Sequence, residues 1–318
     1  MTVALDRATV GKALKRVPSA AWALVLLLVI YPFFTDLFWT VDNFINLGQQ
    51  TAVLAILSLA MTLVILSEGI DLSSGALVSL CGVVMAAYLH RYESLPVAIL
   101  ISLGVGAVVG MVNGLFISVP RLPPFVVTLG TMGMCQGLAL VITNGSSISG
   151  FSDSFRFIAS GFVLGIPFPV VILAFMLLLT YVMLYHTPFG TYIFSIGGNE
   201  EAVRLAGVNV VFQKTMIYVV AGLFGGVGGL IMTSRMNAAH PWVTMGMEFD
   251  AIVAVVLGGT SFVNGRGNPF GSIVGAFAIA VLKNGMGILM VPTALQVAFV
   301  GIFLIMAIIY DSAKSDDG

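Results

Sequence analysis

Long apolar stretches separated by short polar loops constrain this sequence more than any other feature. A helix needs about 20 apolar residues to cross the hydrocarbon of a bilayer. Only 8% of the residues are charged, against about 25% in ordinary soluble domains, so a water-soluble fold is excluded. We expect an all-α, polytopic integral membrane protein with about ten transmembrane helices. The candidate spans lie near 20–39, 51–67, 73–89, 96–118, 124–143, 162–184, 213–234, 247–260, 270–290 and 293–311.

The Lys and Arg residues predict the orientation of the chain. If both termini lie in the cytoplasm, most of the basic residues fall in inside segments, as the positive-inside rule requires. The inside residues are then Arg7, Lys12, Lys15, Arg16, Arg121, Arg204, Lys214, Arg266 and Lys314, and the outside residues are Arg91, Arg156 and Arg235.

This orientation divides the chain into three parts. We predict a cytoplasmic N-terminal tail at 1–17, a transmembrane domain at 18–311 and a cytoplasmic C-terminal tail at 312–318. The first apolar stretch is long enough to span the bilayer and no small-residue cleavage pattern follows it, so we expect a retained span. The most informative cytoplasmic loop is 185–212.

Acidic, hydroxyl and glycine residues interrupt the chain between the second and third spans. Glu68, Asp71 and Ser73 lie within this short segment, which ends at Gly75. Backbone groups freed by such a break must be satisfied by protein or water. Two interpretations stay open: a loop at the gate of a pathway, or a turn whose Asp71 caps the next helix through the amides of Ser73 or Ser74.

Ionisable and amide side chains also occur in the later spans. Such groups in a membrane tend to face a cavity or a partner. Lys283 either pairs with a carboxylate or extends towards an interface, and we expect the second. Asn284 either bonds across helices or lines a polar path. The candidate pathway or gate residues are Glu68, Asp71, Ser73, Asn144, Asp250 and Asn284, with Glu248 near the edge of its span.

Glycines four residues apart predict close contacts between helices, because small residues let two backbones approach. The rows are Gly106/Gly110/Gly114, Gly133/Gly137, Gly225/Gly229 and Gly271/Gly275.

A short helix is predicted inside the loop 185–212. Asn199 is a favourable N-cap, Glu200 and Glu201 suit the first turn, and Gly207 is a favourable stop. A helix of about two turns is marginal in isolation. It therefore needs to pack against its own protein or a partner, and a plain surface helix is the alternative.

Catalytic chemistry finds no support in the sequence. His90, His186 and His240 form no His-x-x-x-His pair, and no Gly-x-Ser-x-Gly or Walker-type loop occurs. We expect a transport subunit rather than an enzyme, with no catalytic residue, metal site or cofactor of its own. The net charge of −1 argues against nucleic acid as a partner. Cys81 and Cys135 are expected to be free thiols.

Four segments in order along the chain resemble one family. Residues 62–75, 123–131, 197–209 and 249–267 are similar to segments of ribose-type ABC transporter permeases, the membrane subunits of binding-protein-dependent monosaccharide importers. The resemblance extends from about residue 45 to 311. Two departures affect the substrate: position 68 is Glu where a small or neutral residue is expected, and Gly75-Ala replaces a Val-Gly-Ser pattern.

The resemblance implies a fold, partners and a mechanism. The spans 2–5 and 7–10 would form inverted-repeat halves, and two permease subunits, identical or closely related, would meet in the bacterial inner membrane among its lipids. A periplasmic sugar-binding protein would deliver the sugar, and a cytoplasmic tandem-domain ATPase would bind ATP and Mg. The predicted short helix would couple to that ATPase through Asn199, Glu200, Glu201, Ala202, Arg204, Leu205 and Gly207.

Two other functions stay open. A proton-coupled secondary sugar transporter would use Asp71 or Glu68 as its relay and would leave the short cytoplasmic helix without a role. An ABC permease of the same superfamily for a nucleoside or another small polar solute would differ in substrate rather than in mechanism.

Overall fold

The computed structural model describes residues 19–263 and 265–316. The predicted N-terminal tail at 1–17, Asn264 of the fourth resembling segment, and the last two residues of the predicted C-terminal tail lie outside these residues.

Helices make up most of the described chain. They are α1 (Ser19–Ile30), α2 (Val41–Leu66), α3 (Ser74–Tyr92), α4 (Leu95–Ser118), α5 (Pro124–Thr143), α6 (Asp153–Ser160), α7 (Phe168–His186), α8 (Pro188–Leu205), α9 (Val210–Met236), α10 (Met247–Leu257), α11 (Pro269–Ile288) and α12 (Thr293–Asp316), with a 3₁₀ turn at Tyr31–Phe33. The strands form two antiparallel pairs, β1 (Ile148–Ser149) with β4 (Ala238–Ala239) and β2 (Phe162–Val163) with β3 (Ile166–Pro167).

Within the described residues, seven helices are long and apolar enough to cross a membrane: α2, α3, α4, α5, α7, α9 and α11. The apolar segments Ala20–Phe33 and Thr293–Phe303 are shorter. Helix α10 has 11 residues, so it is about 16 Å long, roughly half the thickness of the hydrocarbon. The prediction of an all-α polytopic membrane protein is confirmed, whereas ten spans stay a prediction.

Helix α2 lies at the centre of the structure. Every residue from Thr51 to Leu66 is buried, and α7, α9, α10 and α11 pack around it. A helix that is apolar on all sides has no polar face to present to water, and in α2 the neighbouring helices cover it. The outer helices α4, α5 and α7 instead expose many large apolar side chains, as lipid-facing helices do.

Glycine contacts hold α4 against α9. A Cβ atom on Gly106 would lie 2.1 Å from the carbonyl oxygen of Gly222, and one on Gly110 would lie 2.1 Å from that of Tyr218. Only glycine permits this approach of two backbones. The predicted contact is thereby confirmed for this row, and it is also confirmed for Gly225/Gly229 and Gly271/Gly275.

The row Gly133/Gly137 differs from the other three. It lies on the exposed side of α5, and no atom of the described chain comes within 4 Å of a Cβ built on either glycine. The predicted contact is wrong for this row within the described chain, because spacing alone cannot tell an inward face from an outward one.

Contacts among α2–α5 recur among α9–α12. Helix α4 packs against α9 as α11 packs against α2, and α3 packs against α9 as α10 packs against α2. The pairs α3–α4 and α3–α5 likewise have counterparts in α10–α11 and α10–α12. Corresponding helix pairs of the two segments are therefore in contact, and helices of each segment pack against the first helix of the other, α2 or α9.

The cytoplasmic loop predicted at 185–212 is largely helical. Helix α8 begins at Pro188, buries Ile193 and Ile196, and bends at Asn199, whose φ of −165° and ψ of 95° are extended rather than helical. The predicted short helix is the segment after this bend. A first segment was missed because its apolar run is too short to read as a membrane span.

Candidate functional site

The interruption between α2 and α3 spans residues 67–73. Asp71 is 4% exposed, and its Oδ1 accepts hydrogen bonds from the backbone N of Ser73 at 2.8 Å and from its Oγ at 2.5 Å. The predicted hydrogen bond to the Ser73 amide is therefore confirmed, although the N-cap residue of α3 is Ser73 itself. Glu68 is exposed and has a left-handed backbone with φ of +58°.

Hydrogen bonds extend from this first interruption to three neighbouring helices. Asn113 of α4 donates from Nδ2 to Ser73 Oγ at 2.9 Å, and Thr131 of α5 donates to Asn113 Oδ1 at 2.6 Å. Tyr218 of α9 donates its hydroxyl to the carbonyl of Ile70 at 3.2 Å. Neutral donors and acceptors thus fix the position of the break.

A second interruption, residues 237–246, joins α9 to α10. Glu248 follows it, is 2% exposed, and accepts the backbone N–H of Gly246, with N to Oε2 at 3.1 Å. Its carboxylate thus closes the first turn of α10, where helix N–H groups lack intrahelical partners.

The two interruptions meet. Thr244 is fully buried; its Oγ1 lies 2.7 Å from the carbonyl oxygen of Gly75 and 2.5 Å from Ser79 Oγ. A Cβ atom on Gly75 would lie 2.1 Å from Oε2 of Glu248 and 2.7 Å from the carbonyl oxygen of Thr244. The starts of α3 and α10 are therefore in direct contact, and this contact requires glycine at position 75.

Lys283 of α11 pairs with Asp250 of α10. The ammonium Nζ hydrogen-bonds to Oδ2 of a carboxylate whose side chain is 7% exposed. The expectation that Lys283 extends to an interface is therefore wrong, because a buried carboxylate one helix away offers a stronger partner than the interface.

The remaining predicted residues lie apart from this cluster. Asn284 exchanges two hydrogen bonds with Asn43, at 3.1 and 2.9 Å, so of its two interpretations it bonds across helices. Asn43 lies at the start of α2, about 35 Å along that helix from the first interruption. Asn144 is exposed and ends α5 in a left-handed conformation.

The segment of α8 after the bend at Asn199 is held by its own side chains. Asn199 Oδ1 accepts from the backbone N of Ala202 at 2.9 Å, and Gly207 ends the segment with φ of +82°. Glu200 bonds Arg204 at 2.5 Å and also bonds Lys214 of α9. Burial raises the pKa of the Glu200 carboxyl, but the hydrogen bonds and charges of Lys214 and Arg204 outweigh burial and hold that pKa below its ordinary value.

The same segment presents a surface to solvent. Leu205 is 81% exposed, the Glu201 side chain is 68% exposed, and Ala202 is also exposed. Just before the bend, a Cβ atom on Gly197 would lie 1.9 Å from the carbonyl oxygen of Leu66. The α8 segment is therefore in contact with the end of α2, directly before the first interruption.

Sequence reasoning missed several residues of this cluster. They share one signal, a hydrogen-bonding side chain inside an apolar run, and they are Ser79, Asn113, Thr131, Tyr218 and Thr244. Among the described residues, no group of three or more His, Cys, Asp or Glu side chains is arranged to hold a metal ion.

Comparisons with known proteins give a family match and several similar sequences. A family described as branched-chain amino acid transport system / permease component matches residues 43–308. The chain is 39% identical over 296 residues to the ribose import permease protein RbsC of Escherichia coli strain K12, covering 92% of each chain.

Two further relatives are similar over most of their length. The ribose import permease protein RbsC of Bacillus subtilis strain 168 is 38% identical, covering 92% of this chain and 91% of its own. The D-allose transport system permease protein AlsC of Escherichia coli strain K12 is 32% identical, covering 87% and 85%. No solved structure gives a significant match.

Proposed function

The chain belongs to the family described as branched-chain amino acid transport system / permease component, and we propose that it is the membrane subunit of an ATP-driven importer for a monosaccharide. The substrate is a ribose-like pentose or a related sugar, which a periplasmic binding protein delivers. The main support is the similarity to the ribose permeases, which covers nearly the whole chain rather than one motif. The subunit does not hydrolyse ATP; a cytoplasmic tandem-domain ATPase binds ATP and Mg.

The proposed architecture has ten spans in two inverted halves, α2–α5 and α9–α12. The recurring contacts between corresponding helix pairs support it. The short helix α10 is then the counterpart of α3, and both follow an interruption, as in transporters built from repeats with broken helices. Both termini lie in the cytoplasm, and two permease subunits assemble in the inner membrane.

The proposed gate is the contact between the starts of α3 and α10. Thr244 hydrogen-bonds to Ser79 and to the Gly75 carbonyl group there, and the buried acids Asp71 and Glu248 lie on either side. Alternating access separates these two helix starts and exposes hydroxyl and carboxylate groups to the sugar. Such groups bind a sugar weakly, which conduction requires, so recognition belongs mainly to the binding protein.

The proposed coupling element is the α8 segment from Asn199 to Gly207. Its exposed residues Glu201, Ala202 and Leu205 form the docking surface for the ATPase. Two contacts carry motion inward: Gly197 against the end of α2, and Glu200 to Lys214 at the start of α9. Helix α8 thus contacts both α2 and α9, the first helix of each half.

Charge reversal on the docking surface tests the coupling. We expect Glu201→Lys combined with Leu205→Glu to abolish recovery of the ATPase with the permease and ATP-dependent ribose uptake, because both side chains point to solvent. The yield and elution volume of the permease should stay unchanged. The matched control is Asp153→Lys, a reversal at a 96% exposed side chain on the opposite side of the membrane. Normal ATPase recovery and uptake in the double variant would exclude this docking surface.

Two measurements separate the proposed importer from its alternatives. A proton-coupled carrier has some support in the buried acids Asp71 and Glu248, and its uptake would stop when the proton gradient is dissipated while surviving loss of the ATPase. An ABC permease for a nucleoside would take up labelled nucleoside, and excess unlabelled nucleoside, but not excess ribose, would inhibit that uptake.

A further inference from the structure

A charged cavity of about 260 Å³ lies beside the cytoplasmic segment of α8. It is bounded by the end of α4, the start of α5 and the first turn of α9. A hydrogen bond of 3.1 Å between Ser118 and Thr215 holds α4 to α9 at its edge. Because these elements belong to the membrane domain, the cavity does not depend on any partner to form.

Positive charge dominates the lining of the cavity. Arg121, Arg204 and Lys214 face it together with one acid, Glu200. Glu200 is shared between Arg204 and Lys214, whereas Arg121 makes no salt bridge among the described residues. The start of α9 adds the partial positive charge of a helix N-terminus. The lining therefore carries two net positive charges and suits an anion.

The remaining lining is apolar and continues onto the outer surface of the bundle. Leu122 and Val211 line the cavity and are 42% and 41% exposed. Next to them, the first turns of α5 expose Phe125, Val126 and Leu129. An acidic loop of a soluble protein would leave this apolar surface uncovered, whereas the acyl chains of a phospholipid would cover it.

We propose that this cavity binds the phosphate of an anionic phospholipid headgroup in the cytoplasmic leaflet. Arg121 and Lys214 donate hydrogen bonds to the phosphate, and the acyl chains lie along α5. Basic cavities between spanning helices on the cytoplasmic side have the charge and position for such headgroups. Lipid bound there touches Glu200 and Lys214, the same contact through which the α8 segment reaches α9.

Lipid affinity of the purified full-length chain tests the proposal. Phosphatidylglycerol and phosphatidylcholine with identical acyl chains are titrated into the delipidated protein, and binding is counted by native mass spectrometry. We expect phosphatidylglycerol to bind about tenfold more tightly than phosphatidylcholine. Arg121→Gln should weaken phosphatidylglycerol binding about fivefold and leave phosphatidylcholine binding unchanged, as expected for one basic residue near a membrane surface. Arg156→Gln, which removes a matched charge on the opposite side of the membrane, should change neither.

Three results would overturn the proposal. Equal affinity for the two lipids would exclude recognition of the headgroup. If inorganic phosphate displaced bound phosphatidylglycerol at the concentrations at which phosphatidylglycerol itself binds, the cavity would be a site for a free anion. Unchanged lipid affinity in Arg121→Gln together with lower recovery of the ATPase would assign Arg121 to protein docking, without affecting the importer function itself.

Discussion

The two interruptions of the membrane domain have corresponding positions but different electrostatics. The first, at 67–73, satisfies its buried Asp71 with the neutral amide and hydroxyl groups of Ser73. After the second, at 237–246, Glu248 accepts a backbone amide while Asp250 pairs with the cation Lys283. On one side of the proposed gate a buried acid is thus satisfied by uncharged hydrogen-bond donors, and on the other side a buried acid pairs with a cation.

The two sides of the proposed gate therefore differ in how firmly they are held. A hydrogen bond to a charged group contributes about 1.5–3 kcal/mol to stability, whereas removing one member of a buried ion pair costs about 3–5 kcal/mol because it leaves an uncompensated charge. We infer that α10, tied to α11 by Lys283, is the fixed side of the gate, and that the start of α3 is the side that moves.

The largest expected effect comes from removing the cation on the fixed side. Lys283→Met should lower the free energy of unfolding by about 3–5 kcal/mol, because Asp250 stays buried without its partner. Reversible unfolding of the purified protein in mixed micelles by added dodecyl sulfate measures this loss.

Two further variants sharpen that result. Lys283→Met with Asp250→Asn should recover most of the stability, since the unpaired charge is removed. In the first interruption, Asp71→Asn keeps an acceptor for Ser73 and should cost less than about 1.5 kcal/mol. If Asp71→Asn proved as costly as Lys283→Met, the ion pair at α10 would not hold its side of the gate more firmly than hydrogen bonds hold the start of α3.

An intermediate effect is expected where the two sides touch. Gly75→Ala introduces a Cβ atom that would lie 2.1 Å from Glu248 Oε2 and 2.7 Å from the Thr244 carbonyl oxygen. Relieving this overlap should cost about 1–3 kcal/mol and should lower the rate of ribose uptake, because the helix starts no longer close together.

The control for this variant is Gly130→Ala on α5, where no atom of the described chain lies within 4 Å of the new Cβ. It should leave stability and uptake unchanged or slightly raise stability, since alanine favours a helix. A Gly75→Ala protein that matches the control in both measurements would show that the contact is not a tight one.

Hydropathy predicted the class of this fold because burial in lipid requires apolar residues on every outward face. It also predicted the interruption at 67–73. Helix capping offered the contact of Asp71 with Ser73 as one of two interpretations, since that contact depends on neighbours along the chain. The capping residue Asn199 and the acids Glu200 and Glu201 likewise predicted a capped helical segment.

Contacts between distant helices were less accessible to sequence reasoning. Lys283 was expected at an interface because nothing in the sequence pairs it with Asp250, which lies on the preceding helix and 33 residues away along the chain. Asn113 was missed because a single amide in an apolar run has no local pattern. These contacts depend on how the helices pack, which periodicity does not determine.

The smallest expected effect is at Asn113, which joins the moving side to α4 and α5. Asn113→Ala removes the bonds to Ser73 and Thr131 but orphans neither hydroxyl, because Ser73 keeps Asp71 and Thr131 keeps the carbonyl group of Val127. The loss of unfolding free energy should therefore be about 0.5–1.5 kcal/mol, in the range of interhelical hydrogen bonds in membranes. A double-mutant cycle with Thr131→Val should give a coupling of about 0.6 kcal/mol. A loss as large as that of Lys283→Met would mean that the neutral network holds the gate as firmly as the ion pair, and the start of α3 would then be no more mobile than α10.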